Sequence, residues 1–447
     1  MRFHIVGIGG AGMSAIARIL LVRGHTVTGS DTGPWPLAMA LARDGATVYQ
    51  RFDPMNVVGA EVVIRSSAYA EDNPEVRAAL DTGVTVWKRE DAWRFLTKGQ
   101  RVVAIAGTHG KSTTTAMAWS ALRAGGIDAS LICGATLRDL GTNAYSGKSD
   151  VFVIEADEYD NAFLALEPEV AVVTSLDHDH VDVFPTSESY RDAFQAFARG
   201  VRPRGHLIVC VDGPGGRALA TWATHELAAG VTKTYGSRDA DTEVREDGPA
   251  ICKFDRYQSQ RDGGRIHVQA RGQHNCLNAT AALLVAESLK LPMKDVVSRG
   301  IELFTGVERR LEVLGAAGDI TVVDDYAHHP AEIAVGLETF GDGAVVVFQP
   351  HTPSRLAAFF DDFVLVLRRA RAVVIVETFR SAREEADAHG RARKLAEAVG
   401  GRYAPDGETA ARIAAELARP GDAVLVMGAG DVRPVGERVL ELLRTPV

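Results

Sequence analysis

Twice in this chain a strand-length apolar run stops at a glycine-rich turn and gives way to a helix-length stretch. Phe3-His4-Ile5-Val6 leads into Gly7-Ile8-Gly9-Gly10-Ala11-Gly12, and Val102-Val103-Ala104-Ile105-Ala106 leads into Gly107-Thr108-His109-Gly110-Lys111-Ser112. Glycines at such a junction let backbone N–H groups approach a phosphate, and the helix that follows adds the positive end of its dipole. One loop alone would suit a dehydrogenase or a generic nucleotidase. Two imply an enzyme that holds two phosphorylated molecules and reacts one with the other.

The first loop carries G-x-G-x-x-G at Gly7, Gly9 and Gly12, with Asp31 downstream where that fingerprint places an acidic residue. What such a loop recognises is a diphosphate, and a UDP-sugar presents one as well as NAD does. The second loop places Lys111 before Ser112 and Thr113 at a helix start, so that the lysine reaches the β- and γ-phosphates and a hydroxyl reaches Mg²⁺. The outer glycine of the longer phosphate-loop pattern would fall at Ile105, so this is the shorter GTxGKS form. The run Asp150–Glu155 delivers Glu155 at the ligand-binding end of a strand, and Val170–Thr174 leads into Asp177-His178-Asp179-His180. Carboxylates suit Mg²⁺, and a single His can complete a second site. The cluster Glu155, Asp157, Glu158 and Asp160 either serves a metal or forms a solvated loop, and His178 reads as structural.

The alternation of apolar runs with helical stretches predicts an α/β protein of three tandem domains. Residues 1–99 form a Rossmann-like N-terminal unit, 100–311 a P-loop ATPase-like central unit and 312–447 a Rossmann-like C-terminal unit. Strands are expected at 3–7, 26–29, 46–49, 61–65 and 84–87, then at 101–106, 150–155, 169–174 and 206–211. Those of the third unit are expected at 320–324, 344–348, 372–377 and 422–427. Its helices are expected at 331–339, 355–369, 388–399, 408–418 and 432–443. The stretch 237–270 reads as hairpins and surface loops.

A net charge of −9 over 447 residues gives nothing to steer the molecule toward nucleic acid or anionic lipid, so phosphate binding is local to the loops. Cys133, Cys210, Cys252 and Cys276 show no CxxC spacing and read as buried free thiols of a cytoplasmic protein. A monomer or homodimer is expected, though no residue pattern selects between them. No run approaches the length of a membrane span.

The stretches GTHGKSTT (107–114), EADE (155–158), LDHDHVD (176–182) and GQHNCLNATAA (272–282) together resemble the motifs of the Mur ligases, in that family's order. GIGGAGMSAIA (7–17), SSAYAEDNPEV (66–76), VDDYAHHPAEI (323–333), FQPHTPSR (348–355) and MGAGD (427–431) are similar to the members that add L-alanine. The resemblance implies ATP-dependent joining of a free amino acid, L-alanine, to the lactyl carboxylate of UDP-N-acetylmuramate through an acyl phosphate, in peptidoglycan synthesis.

It also implies roles. Gly107, Thr108, Gly110, Lys111, Ser112 and Thr113 hold ATP, Asn275 and Asn278 meet its adenine, Asp325 its ribose, and Arg310 its phosphates from the end of the central unit. Ser112, Glu155 and His180 ligate Mg²⁺. Gly9, Gly10, Ala11, Gly12, Asp31 and Ser67 bind the UDP-sugar. Tyr326, His328 and Arg355 form the amino-acid pocket, and His328 or His329 takes the amine proton unless both are backbone-bonded ahead of Pro330.

Some positions depart from the family pattern. Ser175 replaces an Asn, Thr352 and Pro353 replace an Arg and an aromatic, and Tyr159 is more like the recycling relative that attaches an intact tripeptide to the same UDP-sugar. That relative is the alternative reading. A nicotinamide dehydrogenase would leave Lys111 idle, and a nucleotide-binding regulator would leave the Arg and His residues of the third unit idle.

Overall fold

The computed structural model describes residues 1–33, 35–248, 251–256, 264–270, 272–291, 298–379 and 390–444. The first sheet contains β1 (Arg2–Val6), β2 (Thr26–Ser30), β3 (Thr47–Tyr49), β4 (Val62–Arg65) and β5 (Thr85–Trp87), all parallel in the order β3-β2-β1-β4-β5. Its order reverses at β1, so the turn after β1 lies at the switch point where ligands bind in open α/β sheets. Phe3 to Val6 are buried because helices cover both faces of a parallel sheet. His4 is a polar member of that run, and it is paired: its ring nitrogens meet Glu75 Oε2 at 3.2 Å and Thr28 Oγ1 at 2.8 Å.

The second sheet runs β6 (Arg101–Ala106), β7 (Ser130–Leu137), β8 (Thr142–Tyr145), β9 (Val151–Glu155), β10 (Val170–Val173), β11 (His206–Cys210), β12 (Thr232–Gly236), β13 (Thr242–Glu246), β14 (Ile251–Arg256) and β15 (Arg265–His267). Its order is β15-β14-β13-β12-β11-β10-β6-β9-β7-β8. Here β6 is the switch point, flanked by parallel β9 and β10. β8 at one end and β14 and β15 at the other are antiparallel additions.

The third sheet holds β16 (Glu312–Ala317), β17 (Ile320–Asp325), β18 (Val345–Phe348), β19 (Ala372–Val376), β20 (Arg402–Ala404) and β21 (Ala423–Met427), in the order β16-β17-β21-β18-β19-β20. Only β16 is antiparallel to its neighbour. The α/β class and the three sheets agree with expectation. The expected start of a helix at 388 and part of the 237–270 stretch lie outside the described residues.

By packing the chain forms two compact units, Met1–Asp179 with Val183–Gly306, and His180–Asp182 with Val307–Val447. Within the first unit the two sheets are tied together. Asn143 Nδ2 on β8 donates to the carbonyl of Ala11 at 2.7 Å, and Arg89 pairs with Asp157 at 2.5 Å. The second unit begins at Val307, ahead of residue 312, because β16 pairs with β17 and Tyr326 N donates to the Arg309 carbonyl at 2.7 Å. Arg310 therefore belongs to the C-terminal unit and not to the end of the central one.

The cysteines require a correction. Cys133 and Cys210 are buried free thiols, but Cys252 and Cys276 form a disulfide. β14 and the helix Gln273–Ser288 pack together, which brings into contact two thiols separated by 24 residues of chain. No helix among the described residues is long and apolar enough to cross a membrane.

Candidate active site

The site follows from β6 and its two neighbours. In register, Ile105 stands beside Glu155 on β9 and Ala106 beside Val173 on β10. The strands flanking β6 thus deliver Glu155 on one side and Thr174 to Asp177 on the other, around the turn 107–110. Gly107 has φ +127°, and a Cβ there would lie 2.3 Å from Thr174 Oγ1. Gly110 has φ +81° and caps the helix Lys111–Ala124, and a Cβ there would lie 2.7 Å from Asn278 Oδ1. Both positions need glycine for conformation and for space. Thr108 Oγ1 donates to the Asp177 carbonyl at 2.7 Å, and His109 N donates to Ser175 Oγ at 2.8 Å. Ser175, where the family often has Asn, therefore still ties the loop to β10.

Lys111 folds back over the loop. Its Nζ donates to the Gly107 carbonyl at 2.5 Å and to Glu158 Oε1 at 3.1 Å. Burial by itself lowers the Lys111 pKa, but the carboxylates of Glu158, Asp157 and Glu155 outweigh it and the ammonium titrates above its ordinary value. Glu158 is fully buried, and Tyr190 Oη also donates to it at 3.1 Å. Of the four acidic residues in this cluster, Glu158 is thus the counter-ion of Lys111, a role the sequence did not assign. Asp157 is taken by Arg89.

Ser112 Oγ donates to Glu155 Oε1 at 3.0 Å, and Gly134 N donates to Glu155 Oε2 at 2.6 Å. A hydroxyl and a carboxylate at hydrogen-bond distance beside a phosphate loop are the hard oxygen donors Mg²⁺ takes, so these residues fit that ion. Among the described residues no set of three or more His, Cys, Asp or Glu is gathered around one point. A Mg²⁺ here therefore needs phosphate oxygens and water to complete its shell. His180, at φ +51°, packs with the C-terminal unit. His178 is structural, its Nε2 meeting the Phe184 carbonyl at 2.8 Å.

The helix Gln273–Ser288 packs against Lys111–Ala124 and presents Asn275 and Asn278 together. Asn278 Nδ2 donates to Asn275 Oδ1 at 3.2 Å, and Thr114 Oγ1 donates to Asn278 Oδ1 at 3.0 Å. Burial pushes the His274 pKa down to about 4, so its neutral ring can accept from Asn275 Nδ2 at 2.9 Å. The i, i+3 pair is thus one polar ladder beside the phosphate loop.

At the first loop, Gly7 N and Ile8 N both donate to the Ser30 carbonyl. Asp31 is buried and its carboxylate is occupied by protein donors: Oδ2 accepts from Gly9 N at 2.8 Å, and Oδ1 from Thr32 N at 2.8 Å and Trp35 Nε1 at 3.1 Å. Here Asp31 acts first on the loop itself. Gly10, Ala11 and Gly12 open the helix Ala11–Val22, and Ser67 lines a small cleft with Arg65, Lys88, Arg89, Glu90 and Asp160.

In the C-terminal unit the expected residues gather at the carboxyl ends of β17, β18 and β21, where Asp325 and Phe348 both register with Met427. Burial pushes the Asp325 pKa up to about 7, against the opposing charge of Arg310. Tyr326 lies under Arg309 and Arg310, whose guanidinium carbons stand 5.0 and 5.2 Å from its ring centre. Arg310 also pairs with Glu332 at 3.6 Å. His328 Nδ1 lies 2.9 Å from the Tyr326 carbonyl, and His329 caps the helix Pro330–Phe340 by accepting from Ala331 N at 3.3 Å. Both histidines are therefore backbone-bonded. Thr352 caps the helix Pro353–Ala358, which carries the buried Arg355, so the Thr-Pro departure is a helix start.

A phosphate loop with a buried lysine counter-ion, a hydroxyl–carboxylate pair beside it, a second diphosphate-type loop in the same unit and a further α/β unit define the class: a multidomain nucleotide-dependent ligase. Residues 2–101 match the Mur ligase family catalytic domain, 105–286 the Mur ligase middle domain and 309–430 the Mur ligase glutamate ligase domain. The chain belongs to the Mur ligase family. It is 40% identical to a UDP-N-acetylmuramate–L-alanine ligase of Saccharopolyspora erythraea, over 98% of this chain and 92% of that one. Its fold matches a UDP-N-acetylmuramate–alanine ligase of Thermotoga maritima with a TM-score of 0.82 at 25% identity, covering 99% and 98% of the two chains. A murein peptide ligase of Psychrobacter arcticus shares the fold, with a TM-score of 0.76 at 22% identity, covering 100% and 99%.

Proposed function

We propose that this chain joins L-alanine to the lactyl carboxylate of UDP-N-acetylmuramate, coupled to cleavage of ATP to ADP and phosphate. The observation that carries the reading is the second loop, where charged Lys111 and the Ser112–Glu155 pair stand beside one phosphate-binding turn. The 40% identity over nearly the whole chain to a ligase of that name supports the choice of substrates.

In the first step a lactyl carboxylate oxygen attacks the γ-phosphorus, the bond to the β-phosphate oxygen breaks, and ADP leaves. Lys111 exchanges its loop carbonyl and Glu158 for phosphate oxygens and offsets their charge, so positioning and electrostatics do most of the work. When bound, Mg²⁺ supplies Lewis-acid neutralisation of the phosphate oxygens, and Ser112, Glu155 and His180 are the residues that would hold it. Asn275 and Asn278 serve the adenine, Asp325 the ribose and Arg310 the phosphates.

In the second step the amine nitrogen attacks the acyl carbon, loses a proton and expels phosphate. A carbonyl can only accept, so His328 Nδ1 donates to Tyr326 O, with Glu332 Oε2 3.5 Å away; both histidines being backbone-bonded, the amine proton is assigned to neither. Tyr326 and Arg355 hold the amino acid, an arginine being suited to its carboxylate. Gly9 to Gly12 and Ser67 bind the UDP-sugar.

The test is ADP release in the presence of UDP-N-acetylmuramate, Mg²⁺ and, in turn, L-Ala, Gly, L-Ser or the Ala-Glu-diaminopimelate tripeptide. The reading expects release only when all components are present and the highest kcat/KM with L-Ala. Release with the tripeptide alone would transfer the chain to the recycling activity, and oxidation of NADH without ATP use would defeat the ligase reading.

A further inference from the structure

The glycine loop after β1 is flanked by two aromatic rings. Tyr69 crowds Gly7, where a Cβ would lie 2.7 Å from Tyr69 Cε2, and Trp35 crowds Gly9, where a Cβ would lie 2.6 Å from Trp35 Cδ1. Trp35 is not a core residue, for it remains 42% exposed at the N-cap of the helix Pro36–Arg43. It is nevertheless fixed. Its Nε1 donates to Asp31 Oδ1 at 3.1 Å, while Asp31 Oδ2 accepts from Gly9 N at 2.8 Å, so one buried carboxylate holds the indole and the loop together.

The topology says which part of a ligand meets this ring. When a diphosphate sits on the first βα turn of such a sheet, its nucleoside lies along the carboxyl end of the second strand. In this chain that end is Ser30, and the segment continuing from it is Asp31 to Trp35. A large, half-exposed ring anchored there offers a π-face where a base arrives. We infer that Trp35 is the base-stacking residue of the first loop: its indole stacks on the uracil of the UDP-sugar, and Asp31 is the positioning residue that sets the indole against the diphosphate turn. This rests on the proposed assignment of the UDP-sugar to the first loop, and adds to it the residue that reads the nucleoside end.

The test measures UDP binding by calorimetry for the full chain and for Trp35→Ala, Trp35→Leu and Trp35→Phe, with the KM for ATP and the Tm of each. Stacking of one base on an aromatic ring predicts that Ala and Leu raise the Kd for UDP about 5- to 100-fold. Phe should stay within about threefold of the parent, because every ring has a π-face. KM for ATP should not move, and the tryptophan fluorescence change on UDP addition should be lost in all three. A Leu variant that binds UDP like the parent would overturn the inference, since bulk on Gly9 would then be the whole role. So would an Ala variant with unchanged Kd. Failure of the unaltered protein to bind UDP would instead remove the ligand assignment on which this rests.

Discussion

Replacing Lys111 should do two separable things. Its ammonium pairs with Glu158 at 3.1 Å, and the two side chains are 15% and 0% exposed. Lys111→Ala therefore strands a buried carboxylate whose remaining side-chain donor shown at Oε1 is Tyr190. Breaking a buried pair in this way costs about 3–5 kcal/mol, much of it the unpaired charge rather than the lost attraction. By calorimetry this should lower the Tm of the first unit by about 5–10 °C. In Lys111→Ala/Glu158→Gln the stranded charge is gone, so about 2–3 kcal/mol of the loss should return as a coupling energy. Turnover should not return, because no cation faces the transferring phosphate. A single variant as stable as the parent, or a double variant no more stable than the single one, would refute the buried-pair argument. Recovery of ADP release in the double variant would refute the phosphate role of Lys111.

Further outcomes follow from burial and from the disulfide. Folded Asp325 holds its proton to about pH 7, whereas an unfolded aspartate releases it near pH 3.9. Between those values the folded state binds more protons, so the contribution of Asp325 to stability declines as pH rises, by roughly 4 kcal/mol across the window. Asp325→Asn should remove that decline, and identical pH–stability curves for the two proteins would contradict it. The Cys252–Cys276 bond closes a loop of 24 residues, so Cys252→Ser or reduction by a dithiol should lower unfolding free energy by roughly 3 kcal/mol. Thiol titration of the unfolded, unreduced protein should find two thiols; finding four would contradict the bond. Gly110→Ala must place a Cβ 2.7 Å from Asn278 Oδ1 at φ +81°, and should raise KM for ATP at least tenfold (about 1.4 kcal/mol) while leaving UDP binding unchanged.

Strong local signals made much of this architecture readable from the residues. The runs at β10 and β21 are wholly apolar, that at β6 is so after Arg101, and those at β1 and β17 are mainly so, because both faces of a parallel sheet are covered, and the glycine turns after β1 and β6 announce themselves. β7 and β12 were harder. Ser130–Leu137 is apolar only in its first half, and Thr232–Gly236 alternates Lys and Tyr between threonines, so neither reads as a covered strand. β20 has only three residues.

At the site, Lys111, Ser112 and Glu155 were legible because phosphate and Mg²⁺ chemistry demands those types at strand ends. The part of Glu158 was not. Glu155, Asp157, Glu158 and Asp160 are chemically alike in sequence, and which one turns inward depends on the left-handed residues Asp160 and Asn161 that bend the chain after it. The disulfide and the Trp35–Gly9 contact were hidden for a related reason, since each joins residues from separate elements that meet only through tertiary packing.

The central claim is that the UDP-sugar carboxylate is phosphorylated before the amine attacks. UDP-N-acetylmuramate labelled with ¹⁸O in both lactyl carboxylate oxygens, turned over with ATP and L-alanine, tests it by mass spectrometry of the released phosphate. An acyl phosphate requires one labelled oxygen in each phosphate formed. Unlabelled phosphate, with the expelled carboxylate oxygen found in water instead, would contradict it.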